Sequence, residues 1–484
     1  MSFASVVFFL FLPVVFCLHY CSSRRQWQNG VLLAASYFFY GWWDYRFCGL
    51  MLFSSLLDYA IGQKLATARH ATQRRSLLVL TLASNLGLLG FFKYFNFFAD
   101  SLVLALAAVG VDVNPTTLPI VLPVGISFYT FQTLSYTLDI YRGQLQPRRN
   151  LVEYLTFVSF FPQLVAGPIE RATHLLPQFA AARKFSPEAA AEGCRLILWG
   201  LAKKMVLADN LGGIVDSAFG HAASASGAAL ALATVCFAFQ IYCDFSGYSD
   251  IAAGTARLFG IQLVRNFAYP YFAQSLSEFW RRWHISLSTW FRDYVFIPLG
   301  GSRDTVERTS RNLLLTFLLS GLWHGAAWHF VAWGALHGLY VVASRWLSRG
   351  APAERPAVPG GESLLPSLLV LWRMLRTFVL VCAGWILFRA DSLPTAWEIC
   401  RRIAVQGLSL DFYASLWRLV AEHQIVLVVL GLFVAAEWLG RFEWNPLPIR
   451  RLPLPARWLS YTALFWVILY LGTQRSADFI YFQF

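Results

Sequence analysis

Three histidines lie within one otherwise apolar stretch of the sequence, residues 313–344. They are His324, His329 and His337. An ionisable side chain is costly at membrane depth, and by default it faces a cavity or another polar group. An imidazole in such a cavity suits general base catalysis, in which it takes a proton from a hydroxyl that attacks an activated carbonyl. We therefore expect a functional role for His324, whereas His329 and His337 could lie near an interface and extend their rings to water.

Small residues flank His324, and they leave room either for two helices to approach closely or for a substrate beside the imidazole. They are Gly321, Gly325, Ala326 and Ala327. His324 and His329 are five positions apart, so they do not share a helical face as metal ligands at i and i+4 would. The sequence also lacks a serine-hydrolase elbow and an H-E-x-x-H zinc motif. We expect neither a metal site nor a permanently bound cofactor.

A second group of polar side chains follows Trp283. It comprises His284, the hydroxyls of Ser286, Ser288 and Thr289, and the adjacent pair Arg292 and Asp293. These residue types could support an active site. They could equally belong to an interfacial helix whose histidine and arginine meet water, and the residues alone favour neither interpretation.

A third group contains two carboxylates, Asp244 and Asp250, in an aromatic stretch that also contains glycine. Charged groups at this depth need a partner. We predict that these carboxylates pair with Arg282 or Arg292, and we favour this structural role over a catalytic one.

The elements that carry these residues are predicted to be membrane helices. Of 484 residues, 57% are hydrophobic and only 13% are charged, which is too few charges to cover a soluble body of this size. Apolar blocks of about 18 to 20 residues indicate membrane spans. We predict an all-α, polytopic helical bundle with about 11 to 13 membrane segments. The apolar blocks are residues 3–20, 31–43, 47–61, 77–95, 118–138, 150–166, 193–208, 225–243, 313–344, 367–389, 424–440 and 457–472.

The 313–344 block is too long for one span and is predicted to hold a span and a broken helix. Residues 261–312 mix aromatic and basic side chains, which is typical of helices that lie in the membrane or dip into it. The stretch 351–366 is rich in proline and glycine and is predicted to be an exposed loop.

The net charge of +13 could suggest a nucleic-acid partner. The basic residues instead lie in short loops between apolar blocks, as in Arg24-Arg25 and Arg74-Arg75, which is the pattern of cytoplasmic loops. We therefore expect a lipid environment and no nucleic acid. The first apolar block has no basic residue before it and is predicted to be a retained span.

Six sequence stretches together resemble the membrane-bound O-acyltransferase superfamily, and within it the bacterial alginate O-acetylation branch. They are Pro123-Val-Gly-Ile-Ser-Phe-Tyr-Thr-Phe-Gln132, Phe161-Pro-Gln-Leu-Val-Ala-Gly-Pro-Ile-Glu170, Asp244-Phe-Ser-Gly-Tyr-Ser-Asp250, Phe279-Trp-Arg-Arg-Trp-His-Ile-Ser-Leu-Ser288, Gly321-Leu-Trp-His-Gly325 and Phe479-Ile-Tyr-Phe-Gln-Phe484.

The resemblance implies that His324 is the catalytic residue and that His284 is a second residue of the active site. We expect His284, or an indole N–H group of Trp323 or Trp283, to support an oxyanion. Ser286, Ser288, Asp244 and Arg292 complete the predicted site. The resemblance also implies one integral membrane domain over residues 1–484, with N-terminal spans (1–166), a catalytic core (167–345), C-terminal spans (346–484) and a central tunnel through the bundle.

The resemblance further implies that cytoplasmic acetyl-CoA donates an acetyl group. The group would cross the bacterial inner membrane, and a periplasmic partner of the SGNH-hydrolase-like type would place it on a polysaccharide. Alginate, peptidoglycan, cellulose and other exopolysaccharides stay open as final acceptors.

Two other classes of function are weighed against the acyltransferase. A transporter or flippase would use the histidines, carboxylates and arginines as a relay without acyl chemistry. Such proteins often contain inverted repeats, and the two halves of this sequence do not match. A membrane scaffold for a periplasmic partner would need no buried imidazole, so the three histidines count against it.

Overall fold

The computed structural model describes residues 1–114, 117–165, 167–303, 305–347, 365–442, 452–473 and 479–480. These ranges are helical and contain no β-strand, which confirms the all-α class. Residues 351–364 of the predicted exposed loop and 481–484 of the last sequence motif lie outside the described residues. The chain divides into two compact units, one of Met1–Cys194 with Ile251–Val264 and one of Arg195–Asp250 with Arg265–Phe484. The single functional domain and its three sections stay a prediction.

In the described residues, ten consecutive α-helices lie in the first unit, and the last of them continues into the second unit. They are α1 Val6–Tyr20, α2 Arg25–Gly41, α3 Arg46–Thr67, α4 Ala71–Leu89, α5 Phe95–Ala108, α6 Ile126–Tyr141, α7 Leu151–Ser159, α8 Phe161–Leu164, α9 Ala172–Phe179 and α10 Pro187–Leu201. A π-helical turn at Gly90–Tyr94 joins α4 to α5. Local side chains fix several helix starts; for example, the Asn150 side chain accepts a hydrogen bond from the Glu153 N–H at the start of α7.

A buried polar network connects three helices of this unit. Asp58 on α3 accepts hydrogen bonds from Thr81 and Asn85 on α4, and Thr133 on α6 donates to the amide oxygen of Asn85. Buried polar groups stabilise a fold when each finds a partner, so this network specifies how α3, α4 and α6 pack.

The second unit contains the remaining helices. They are α11 Asp209–Gly220, α12 Gly227–Leu258, α13 Leu276–Arg282, α14 Ile285–Phe291, α15 Val306–His324, α16 Trp328–Leu347, α17 Leu368–Arg389, α18 Leu393–Gln406, α19 Leu410–Glu422, α20 Gln424–Leu439 and α21 Leu454–Leu471. Helix α12 begins in this unit and its last residues belong to the first. Irregular helical turns lie at Ala202–Ala208, Pro270–Phe272 and Arg292–Phe296.

The predicted break in the 313–344 block is confirmed. Helix α15 ends at His324, and α16 begins at Trp328. The two helices pack closely at two glycines: a Cβ on Gly321 would lie 2.3 Å from the carbonyl oxygen of Phe330 and 3.1 Å from the Cα of Gly334. Of the two roles predicted for the small residues, close helix approach is the one seen here.

Four helical stretches of the described chain are long and apolar enough to cross a membrane. They are Ala71–Ala108, Gly227–Leu258, Leu368–Arg389 and Leu454–Leu471. Helices α19 and α20 together would form a fifth, but they are bent by 85° at their junction, as in a broken span or a re-entrant loop. The short α13 and α14 agree with the predicted irregular region between residues 261 and 312. The count of 11 to 13 membrane segments and the central tunnel stay predictions.

Candidate active site

His324 lies at the last residue of α15 and is buried, with 3% of its surface exposed. Its ring makes edge-to-face contacts with Trp323, Trp333 and Phe388 at centroid distances of 5.0, 5.0 and 5.4 Å. The Phe330 ring occupies the position that a side chain at residue 325 would need, because a Cβ on Gly325 would lie 2.1 Å from it. The imidazole is therefore held by aromatic walls at a helix end, where the helical hydrogen-bond ladder stops.

His284 is fully buried and lies just before α14. Its Nδ1 is 3.2 Å from the side-chain oxygen of Asn266, and the same oxygen accepts a hydrogen bond of 2.9 Å from the Ser286 hydroxyl. Phe245 covers the ring edge-to-face at 4.7 Å. A polar partner on one side and an aromatic surface on the other fix the orientation of this imidazole.

The indole ring of Trp323 contacts both histidines. Its indole contacts His324 at 5.0 Å and His284 at 6.1 Å between ring centroids. Both predicted catalytic residues therefore contact the same indole, although His324 ends α15, His284 precedes α14, and the two are forty positions apart.

Trp283 lies beside this group in an aromatic layer. Its indole packs against Phe267, Trp385 and Phe279 at 5.1, 5.0 and 5.5 Å. Trp385 in turn stacks with Trp333 at 6.1 Å. Such a layer excludes water and lowers the local dielectric, which strengthens electrostatic interactions inside the site.

The predicted pairing of Asp244 and Asp250 with arginines is wrong. Asp244 pairs with Lys204 at 2.7 Å, and Lys204 also contacts Asp209 at 2.8 Å. Asp250 pairs with Lys203 at 2.5 Å. Both lysines lie on the irregular helical turn Ala202–Ala208, within the block predicted to be apolar, so the carboxylates find a nearer cation than any arginine.

The two arginines have local partners instead. Arg282 contacts Glu278 one turn earlier at 2.5 Å, and Arg292 contacts the neighbouring Asp293 at 2.7 Å. Asp244 is linked to the site through the next residue, Phe245, whose ring packs edge-to-face on His284.

A cavity of about 490 Å³ lies alongside α13, α14 and α15. Its wall is mostly apolar, with Arg281, Arg292 and the hydroxyl groups of Ser288 and Ser320 among its polar residues. Ser320 is one turn before His324. Ser288 and Arg292, which the sequence analysis assigned to the site, therefore line a cavity next to the elements that carry the two histidines.

The other two histidines of the apolar block differ from His324. His329 is half-buried, and its Nδ1 lies 3.1 Å from the carbonyl oxygen of Leu387. His337 is fully buried among aromatic rings, with Trp333 at 4.9 Å and Trp280 at 5.1 Å. Neither ring nitrogen of His337 has a hydrogen-bond partner among the described residues.

Sequence reasoning missed Asn266, Phe245, Lys203 and Lys204. The two lysines had a visible signal, because they interrupt an apolar block and such a charge needs a partner. Asn266 lies 18 positions before His284, and its contact depends on the path of the loop after α12.

Comparisons with known proteins show the family of this chain. Residues 145–353 match the model of the membrane-bound O-acyltransferase family, and this range contains both histidines and Asn266. A probable alginate O-acetylase AlgI of Azotobacter vinelandii is 43% identical over 401 residues, which cover 82% of this chain and 77% of the relative.

Two further relatives act on other polymers according to their names. The peptidoglycan O-acetyltransferase of Helicobacter pylori is 35% identical, over 83% of this chain and 79% of the relative. The teichoic acid D-alanyltransferase of Streptococcus thermophilus is 28% identical, over 62% of this chain and 78% of the relative. The chain belongs to the membrane-bound O-acyltransferase family. It is therefore a membrane-bound O-acyltransferase, and this excludes the transporter and scaffold alternatives.

Proposed function

We propose that this enzyme takes an acetyl group from cytoplasmic acetyl-CoA and passes it across the bacterial inner membrane for O-acetylation of a polysaccharide. The single observation that supports this most is the pair of buried imidazoles, His324 and His284, on one indole within the family's matched region. Relatives named alginate O-acetylase and peptidoglycan O-acetyltransferase support an acetyl group and a polysaccharide acceptor.

His324 is the general base in this proposal. It takes the proton of an attacking hydroxyl while the C–O ester bond forms, the thioester C–S bond breaks, and the thiolate of coenzyme A then takes the proton from His324. General base catalysis of this kind contributes about 10²- to 10⁴-fold to a rate. The aromatic walls around His324 support the step because they keep water from competing with the hydroxyl.

The cavity beside α14 and α15 is the proposed donor site. Arg281 and Arg292 lie in its wall, and guanidinium groups form strong charge-assisted hydrogen bonds with phosphate. The apolar remainder of the wall suits the acyl thioester arm. In this arrangement the arginines hold the phosphates of coenzyme A while the thioester reaches towards Ser320 and the end of α15.

A periplasmic partner of the SGNH-hydrolase-like type completes the proposed pathway by placing the acetyl group on the polymer. The relatives named above differ in their acceptors, so their names support a polysaccharide acceptor without selecting among alginate, peptidoglycan and cellulose.

The test of the donor and of His324 is turnover of labelled acetyl-CoA by the purified protein in lipid vesicles, supplied with acceptor polysaccharide and periplasmic extract. We expect turnover by the wild type, loss of at least 100-fold in His324→Ala, and near wild-type turnover in the matched control His329→Ala. Equal turnover in wild type and His324→Ala would contradict the role of the base. Turnover with a longer acyl-CoA but none with acetyl-CoA would contradict the proposed donor.

A further inference from the structure

Asn266 is buried, with 3% of its surface exposed, and holds the segment around His284 through both its backbone and its side chain. Its carbonyl oxygen accepts a hydrogen bond of 2.9 Å from the backbone N–H of Ile285. Its side-chain oxygen accepts from the backbone N–H of Ser286 at 3.3 Å and from the Ser286 hydroxyl at 2.9 Å. Its amide nitrogen donates to the hydroxyl of Ser249 at 3.3 Å. This residue is outside the motifs that the sequence analysis singled out.

These contacts determine which atom of Asn266 faces His284. A backbone N–H is always a donor, so the atom that contacts the Ser286 N–H must be the amide oxygen. The Nδ1 atom of His284 lies 3.2 Å from this oxygen. An oxygen acceptor requires a proton on Nδ1, and in a neutral imidazole the lone pair then resides on Nε2.

The same contacts also fix the backbone of His284. Its φ and ψ angles of 42° and 56° are left-handed, a conformation that costs a residue with a Cβ free energy unless its surroundings enforce it. The hydrogen bonds from Ile285 and Ser286 to Asn266 enforce it on the C-terminal side. Phe245 packs edge-to-face on the ring, so the ring direction is set by backbone and side-chain contacts together.

We propose that Asn266 is a positioning residue: its side-chain oxygen holds His284 in the tautomer protonated at Nδ1, so that the ring offers a lone pair at Nε2 to the substrate. This inference rests on the proposed function, in which acyl transfer takes place at His284 and His324. A neutral ring in this tautomer accepts a hydrogen bond at Nε2 and cannot donate one there.

The tautomer assigns distinct tasks to the groups around the reacting carbonyl. Because His284 cannot donate from Nε2 while neutral, stabilisation of the oxyanion falls to N–H donors such as the indole of Trp323. His284 instead orients a substrate group that carries a proton, namely a hydroxyl or an amide N–H. Proton abstraction stays with His324.

A direct test of the tautomer is ¹⁵N NMR of the histidine side chains in the full-length protein in lipid, because protonated and lone-pair imidazole nitrogens have well-separated shifts. The signal that disappears in His284→Gln identifies this ring. We expect a protonated Nδ1 and a lone pair on Nε2 in the wild type. A protonated Nε2 in the wild type would overturn the proposal, whether or not acetyl-CoA is the donor.

Three variants test the consequence for turnover. Asn266→Leu removes the acceptor, so we expect a mixed tautomer and a loss of about 10- to 100-fold, as for removal of the hydrogen-bond partner that orients a metal-bound histidine. Asn266→Asp keeps an acceptor, and we expect it to retain most of the activity and to shift the acidic limb of the pH–rate profile upward, because a carboxylate stabilises the imidazolium. Ser249→Ala is the matched control, since it removes the hydrogen bond from the Asn266 amide nitrogen and leaves the oxygen that contacts Nδ1 in place; we expect its turnover to stay near that of the wild type.

A merely structural role predicts a different pattern. Asn266→Asp would then lose as much activity as Asn266→Leu, and its pH–rate profile would not move. Turnover in Asn266→Leu equal to that of the wild type would also overturn the proposal. If the wild type turns over no donor at all, the proposed function fails, while the NMR measurement still decides the tautomer.

Discussion

Replacement of Lys204 by methionine is expected to destabilise the protein strongly. The Lys204 ammonium group contacts Asp244 at 2.7 Å and Asp209 at 2.8 Å, and all three side chains are at most 4% exposed. Methionine fills a similar volume but leaves two buried carboxylates without their cation. Removing one partner of a buried ion pair costs about 3–5 kcal/mol, mainly because the remaining charge stays desolvated.

The assay is the free energy of unfolding in detergent micelles, measured by denaturant titration for Lys204→Met, Asp244→Asn and the double variant. We expect the double variant to lose less than the sum of the single losses, because the neutral amide that replaces the Asp244 carboxylate leaves no unpaired charge at that position. The control is Arg401→Met, which breaks the solvent-exposed contact with Glu398 on α18 and should have little effect. A loss in Lys204→Met no larger than in that control would refute the reasoning.

Two further predictions concern packing and pH. Gly384→Ala on α17 should destabilise the protein by about 1–3 kcal/mol, because the new Cβ would lie 2.5 Å from Nε2 of His337. The control is Gly431→Ala, where a Cβ has nothing within 4 Å and the change should be neutral or stabilising. Thermal unfolding of both variants measures the difference. In the first unit, the hydrogen bond of 2.8 Å to Glu170 raises the pKa of His174 above its usual 6.5. A raised pKa in the folded state adds stability below about pH 6.5 that is lost as the pH rises through the folded-state pKa. The free energy of unfolding of the wild type should therefore exceed that of His174→Gln by more at about pH 6 than at about pH 9. Since His174 is partly exposed, this difference should be about 1 kcal/mol or less. A difference that grows with pH would contradict the prediction.

Much of the site could be predicted from the sequence, because its signals are local. An ionisable residue in an apolar block is unusual wherever the helices pack, which indicated His324, His329 and His337 together. The small residues beside His324 and the family resemblance then favoured His324. The length of the 313–344 block predicted a break, which the structure places between His324 and Trp328. The small residues around the break predicted either close helix approach or room for a substrate, and the structure shows close approach at Gly321, which packs against Gly334 on α16.

The partners of the polar residues could not be predicted in the same way, because they depend on which elements become neighbours. The carboxylate of Asp244 was expected to meet an arginine, and it meets Lys204 from a segment forty positions away. Averaging hydropathy over residues 193–208 gives an apolar block, although Lys203 and Lys204 are visible within its sequence. Asn266 reaches His284 only because the loop after α12 passes beside α14.

The measurement that tests the central claim most directly is the O-acetyl content of the cell's own polysaccharides, peptidoglycan included, because the cell supplies the proposed donor, partner and acceptor. The chromosomal copy is replaced by wild type, His324→Ala or His329→Ala, and equal amounts of each protein in the membrane fraction are verified. We predict wild-type ester content with His329→Ala and its loss with His324→Ala. Undiminished ester content with His324→Ala would contradict the account of acyl transfer at this histidine.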